Sequence, residues 1–212
     1  MELIRDEIVR RDALAVERNI KAAKFPEFKM LSDFDFSEVQ VPNAVALNYF
    51  TECQFIADKY NLYLYGKPGT GKTHLAIALG IEACKHLKKV AFFRFSDLIQ
   101  CLRDAKSIND AKFYKQLSRL DLIIIDEFGY PPRESDTIQL FFEFITDYCY
   151  EKKSLVMTSN RTVQEWLSDF TNPRDEKMAL ATIDRLAQDT LPFTFLGESH
   201  RALHSKLSEP VV

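Results

Sequence analysis

The segment Gly66-Lys-Pro-Gly-Thr-Gly-Lys-Thr73 constrains this chain more than any other stretch of it. It has the spacing G-x-x-x-x-G-K-[ST], in which successive backbone N–H groups converge on phosphate oxygens. Gly69 and Gly71 free the loop from Cβ crowding, Lys72 supplies a mobile positive charge and Thr73 a hydroxyl for Mg²⁺. Such a loop works only between a strand and a helix. Here an alternating apolar run, Asn61-Leu-Tyr-Leu-Tyr65, precedes it, and the Ala- and Leu-rich stretch His74 to Cys84 reads as a helix whose N-terminus faces the phosphates. Only six glycines occur in 212 residues and three lie in this loop, so composition alone does not produce the match. The implied ligand is a nucleoside triphosphate.

The rest of the chain alternates strand and helix patterns. Strands are predicted at Lys89–Phe95, Leu122–Ile125, Ser154–Thr158 and Phe193–Leu196, in addition to the one before the loop. Helices are predicted at Glu2–Lys24, Ala44–Lys59, Asp97–Ala105, Ala111–Arg119, Thr137–Tyr150, Val163–Ser168 and Glu176–Gln188, with an irregular linker through Pro42. Apolar strands alternating with helices predict an α/β fold, a parallel five-stranded sheet sandwiched by helices.

Two acids stand where such a sheet binds ligands. Leu122-Ile-Ile-Ile125 runs directly into Asp126-Glu127, at the carboxyl end of a buried strand. Asp126 fits the acid that holds Mg²⁺ with Thr73, and Glu127 fits the base that orients an attacking water. A carboxylate beside the magnesium acid favours hydrolysis over transfer to a small acceptor, which needs water excluded. After the strand ending Met157-Thr-Ser-Asn160, the Asn160 amide is available to the γ-phosphate or to water.

Other features exclude more than they assign. Lys plus Arg number 28 against 31 Asp plus Glu, a net charge of −3, so any nucleic-acid contact must come from local patches. Arg18, Lys21, Lys24 and Lys29 form one such patch, with a solvated helix face as its alternative reading. Cys53, Cys84, Cys101 and Cys149 are scattered singly and read as buried thiols, and the pair His200 and His204 makes no persuasive metal site. No apolar run approaches the roughly 18 residues that span a bilayer, and the amino terminus lacks a signal-peptide core. No membrane partner is expected, and the cytoplasm is the expected location.

The stretches Gly66 to Ala76, Leu122 to Tyr130, Thr158-Ser-Asn160, Ile183-Asp-Arg-Leu186 and Gly197-Glu-Ser-His-Arg201 together resemble the IstB/DnaC-type AAA+ ATPases, and within them the IstB-like helpers of insertion-sequence transposition. The resemblance spans about Phe34 to Arg201. It implies a P-loop AAA+ fold of the ASCE type with ATP and Mg²⁺ as cofactors. Gly66, Pro68, Gly69, Thr70, Gly71, Lys72, Thr73 and His74 then hold nucleotide with Asp126, and Thr73 and Asp126 hold the metal. Glu127 and Asn160 act in hydrolysis as base and phosphate sensor, Arg185 matches the arginine finger offered to a neighbouring subunit, and Arg201 matches a second sensor. On the residues alone, an Arg following an Asp near a helix end also reads as a surface ion pair.

The two helices between Lys89 and Leu122 resemble the helical insertion of the initiator and helicase-loader branch, which makes Lys106, Lys112, Lys115 and Arg119 candidates for DNA. A solvated face again stands beside that reading. The resemblance implies a further helical domain ahead of this segment and little or no C-terminal lid. The expected organisation is an N-terminal helical extension or linker at 1–33, the ATPase domain at 34–201 and a tail at 202–212. The implied function is an ATP-dependent switch that oligomerises on DNA, with ATP between subunits, and regulates or delivers a transposase. A replicative-helicase loader shares every motif, and a nucleotide-dependent protein scaffold without DNA is the remaining alternative.

Overall fold

The computed structural model describes residues 2–42, 47–130 and 134–199. Six strands form one sheet: β1 (Val39–Gln40), β2 (Asn61–Gly66), β3 (Val90–Arg94), β4 (Leu122–Asp126), β5 (Ser154–Ser159) and β6 (Thr190–Phe195). Their order is β1-β6-β2-β5-β4-β3. The five strands expected from sequence are mutually parallel, and β1 adds to the β6 edge antiparallel, pairing Val39 with Phe195. The predicted linker therefore contributes a sixth strand. With only two residues, Val39 and Gln40, it is too short to carry a periodic signal.

Nine helices accompany the sheet among the described residues: α1 (Glu2–Ala23), α2 (Leu47–Thr51), α3 (Gln54–Ala57), α4 (Lys72–Lys85), α5 (Phe95–Ser107), α6 (Ala111–Ser118), α7 (Thr137–Phe144), α8 (Val163–Leu167) and α9 (Pro173–Ala187). The helix predicted over Ala44–Lys59 is broken into α2 and α3, because Cys53 takes a left-handed φ of 57°. Its first residues, 44–46, lie outside the described chain. The helix predicted over Thr137–Tyr150 widens after α7 into a π-helical turn, Ile145–Cys149.

Each central strand is apolar on both faces, and its alternate residues enter two separate cores. Leu122 and Ile124 of β4 join Val156, Leu62 and Leu64 beneath α4, while Ile123 and Ile125 join Leu155 and Met157 beneath α5, α7 and α9. The second half of α1 belongs to the first core. Ala23 is buried there, Asn19 donates its side-chain amide to the Lys88 carbonyl at 3.1 Å, and the Phe25 ring meets Phe92 edge-on at 6.4 Å. The first half of α1 stands away, with Ile4, Ile8, Val9 and Leu14 exposed.

Because the five long strands are parallel, their carboxyl ends lie on one side. Gly66, Arg94, Asp126 and Ser159 end β2, β3, β4 and β5 there. A crevice of this kind is where open parallel sheets place ligands. No described helix is long and apolar enough to cross a membrane.

Candidate nucleotide site

A cavity of about 840 Å³ opens at these strand ends. Pro68, Gly69, Thr70, Gly71, Lys72, Thr73, His74, Asp126, Glu127 and Asn160 all line it. Three stretches far apart in sequence thus meet at one place.

The loop is bent for its task. Gly69 and Gly71 have φ of 80° and 96°, a region L-residues disfavour, and Gly71 caps the start of α4. The N-terminal amides of α4 and its dipole then face the cavity. Lys72 is buried, its ammonium donating to the carbonyls of Gly66 at 2.7 Å and Lys67 at 2.5 Å. Thr70 braces the loop by donating its hydroxyl to Lys67 O at 2.9 Å. Gly66 thus serves the site through its backbone.

Across the cavity, Asp126 is buried and one of its oxygens, Oδ1, accepts from Thr73 at 2.8 Å and from Thr158 at 2.5 Å. The hydroxyl of Thr158 also accepts the Glu127 N–H at 3.1 Å. Thr158 therefore registers both acids against the neighbouring strand. This role is not legible in the Thr-Ser-Asn stretch, because a strand threonine is unremarkable until its partner is known. Glu127 itself is exposed toward the cavity with a left-handed φ of 59°. The oxygen donors of Thr73 and Asp126 are the hard, compact set that suits Mg²⁺.

The segment following α1 closes one side. Glu27, Lys29, Asp33, Phe34, Asp35 and Glu38 line the cavity, although sequence reasoning assigned them no role there. Phe34 packs edge-on against His74 with centroids 5.5 Å apart. Arg94, at the end of β3 and in register with Asp126, adds a cation to the same cavity. The only advance signal for Phe34 was its place in the aromatic cluster Phe34-Asp-Phe36.

The last motif returns to the loop. Lys67 pairs with Glu198 at 2.7 Å, and Ser199 lies so close to Gly69 that a Cβ there would come within 2.1 Å of its hydroxyl. Arg201, the expected second sensor, lies outside the described residues, as do His200 and His204.

Arg185 is elsewhere. It sits in the last turn of α9, beside Asn61 and Asp189 at the amino ends of the strands. Its guanidinium donates to Ala181 O at 3.0 Å and stacks on the Phe142 ring at 4.8 Å. Asp184, its neighbour in sequence, forms no salt bridge with it, so the simple ion-pair reading finds no support. Lys112, Lys115 and Arg119 are exposed, whereas Lys106 is bound to Glu143 on α7 at 2.7 Å.

The sheet order, the loop and the paired acids define an AAA+ domain, the fold of the initiators and helicase loaders of replication. Solved structures carry that architecture. The DnaI structure superposes with a TM-score of 0.62 at 22% identity, covering 82% of this chain and 90% of that one. A DnaA replication initiator bound to AMPPCP and single-stranded DNA gives 0.56 at 23%, covering 77% and 49%. The chain belongs to the family described as IstB-like ATP binding protein, which matches residues 1–208. Among its relatives are insertion-sequence proteins provisionally named as ATP-binding: that of IS232 from Bacillus thuringiensis subsp. berliner, 33% identical over 95% of this chain and 79% of its own length, and that of IS21 from Pseudomonas aeruginosa, 34% identical over 90% and 71%.

Proposed function

We propose that this protein is an ATP-hydrolysing switch that assembles on DNA and regulates or delivers a transposase. The observation that carries the hydrolytic part is the convergence of Thr73, Asp126 and Glu127 beside the glycine loop. The insertion-sequence origin of the relatives supports the transposase, and the DNA-bound initiator of the same fold supports the DNA.

ATP lays its phosphates along the loop amides, and Lys72 turns from the Gly66 and Lys67 carbonyls to meet them. Mg²⁺, held by Thr73 and Asp126, neutralises phosphate charge when bound. Glu127 orients the attacking water, and Asn160 donates to the γ-phosphate. Arg185 serves the ATP of an adjacent copy of the chain, and Arg201 serves as a second sensor. DNA meets Lys112 and Lys115 on α6 and Arg119 just after it, with Lys21 and Lys24 on the α1 side. Residues 34–201 form the ATPase unit and 202–212 its tail, while the 1–33 extension lends its last turns to the cavity wall.

The test is single-turnover ATP hydrolysis by wild type and Glu127→Gln, with and without DNA. Hydrolysis that DNA accelerates and the variant loses supports the reading. Turnover in Glu127→Gln equal to wild type removes its hydrolytic part, and a rate indifferent to DNA favours a protein scaffold.

A further inference from the structure

Glu127 is presented on a turn that its own backbone disfavours. Its φ is 59° and that of Gly129 is 105°, so two left-handed residues flank Phe128. Such a turn persists only where its surroundings over-determine it. Two of the bonds that hold it come from β5: Glu127 N–H to Thr158 Oγ1 at 3.1 Å and Phe128 N–H to Thr158 O at 2.8 Å. The third comes from a side chain in none of the motifs. Arg161 Nη1 donates to Gly129 O at 2.7 Å.

Arg161 directly follows Asn160, and it is fixed at both ends. Its N–H donates to Ser159 Oγ at 3.0 Å, and its carbonyl accepts from Tyr63 Oη at 2.7 Å and Ser159 Oγ at 2.9 Å. Its guanidinium, with the side chain 22% exposed, is forked onto Asp169 at 2.5 and 3.0 Å and reaches Glu165 O at 2.5 Å. The planar fork of arginine bonds all three partners at once, which the single ammonium of lysine does not. Gly129 completes the joint, since a Cβ there would fall 2.9 Å from Ser159 Oγ.

We propose that Arg161 is a positioning residue for hydrolysis, a strut that ties the turn bearing Glu127 to the strand end bearing Asn160. It rests on the hydrolytic reading of Glu127 given above. When the γ-phosphate draws on Asn160, the strut carries that displacement into the turn, so base and sensor take up their working places together. Arg161 is not among the residues lining the nucleotide cavity. A reporter is built in: Trp166 is the only tryptophan, is buried, and its ring lies 5.2 Å from that of Phe128 on the same turn.

The experiment compares wild type, Glu127→Gln, Arg161→Ala, Arg161→Lys and Asp169→Asn as full chains with DNA. It reads ATP affinity with a fluorescent analogue, the single-turnover rate, and the change in Trp166 emission when ATP is added. Arg161→Ala is expected to bind within about twofold of wild type, to hydrolyse at least about tenfold more slowly and to lose the ATP-dependent emission change, because small misplacements of a reacting group cost up to about a hundredfold. Arg161→Lys recovers part of the rate through Gly129 O. Asp169→Asn, which loosens the fork and leaves Arg161 in place, shows the same pattern more mildly and carries the test if thermal melting shows Arg161→Ala unfolded. A wild-type rate in either folded variant overturns the strut. So does a parallel fall of affinity and rate with lysine no better than alanine, the mark of a merely structural residue. If Glu127→Gln turns over like wild type, the reading beneath the strut has failed, and the strut with it.

Discussion

At the carboxyl ends of the parallel strands, side chains from three distant stretches already stand within hydrogen-bond reach of one another: Thr73, Asp126 and Thr158 share one carboxylate oxygen. At the amino ends, Arg185 stacks on Phe142 and, among the described residues, does not line the nucleotide cavity. One end gathers the loop and both acids around one cavity; the other holds a cation on the Phe142 ring and the Ala181 carbonyl. The difference teaches how the proposed hydrolytic switch would come to depend on assembly. On the proposed reading, binding is built into the single chain and Arg185 serves the ATP of a second copy.

The comparison breaks first at Lys72. Lys72→Ala removes the buried ammonium that the loop carbonyls of Gly66 and Lys67 now hold, and ATP affinity measured by titration is expected to fall at least about a hundredfold, since charge-assisted phosphate contacts are among the strongest polar interactions. Unchanged affinity would show that the carboxyl-end cavity is not the nucleotide site.

Glu127→Gln separates chemistry from binding at the same end. Hydrolysis is expected to slow about a hundredfold while affinity holds, the usual scale for a lost positioned base, and DNA-bound assemblies should live longer. The two ends are then joined by Arg185→Ala, which should bind ATP normally and hydrolyse it poorly. Mixed with Lys72→Ala it should regain activity, because the intact cavity of one chain meets the intact arginine of the other. Mixtures that co-assemble and stay inactive would leave Arg185 as packing for Phe142.

What could be read from the sequence followed from how local each signal is. The glycine loop, the strand–acid junction and the five parallel strands rest on contiguous patterns, and the structure assembles them as expected. Thr158 and Arg161 were hidden for the opposite reason: each acts through a partner more than 30 positions away, Asp126 and Gly129, so nothing nearby marks it. The wall from Glu27 to Glu38 was read as linker because its order comes from packing on α4 and β6, as in Phe34 against His74 and Phe195. The break at Cys53 was hidden too, since no Gly or Pro marks the left-handed residue there.

The smallest effect tests whether the amino end is otherwise structural. Lys153, just before β5, is buried, and its ammonium donates to Leu117 O in the last turn of α6 at 2.5 Å. It adds a charged donor to a helix-end carbonyl that also accepts the Leu120 N–H at 3.2 Å. Lys153→Met keeps the apolar stem and removes the donor, at an expected cost of about 1–3 kcal/mol, a fall of several degrees in Tm for a chain of this size. Burial holds the amine below its ordinary value of 10.5, so the unfolded chain binds the proton more tightly than the folded one. Wild-type stability should therefore gain on the variant as pH rises through the window from that lowered value to about 10.5. ATP affinity and the single-turnover rate should match wild type throughout. A loss of hydrolysis in folded Lys153→Met would show that the amino ends of the strands influence catalysis within one chain, and the division between the two ends of the sheet would have to be redrawn.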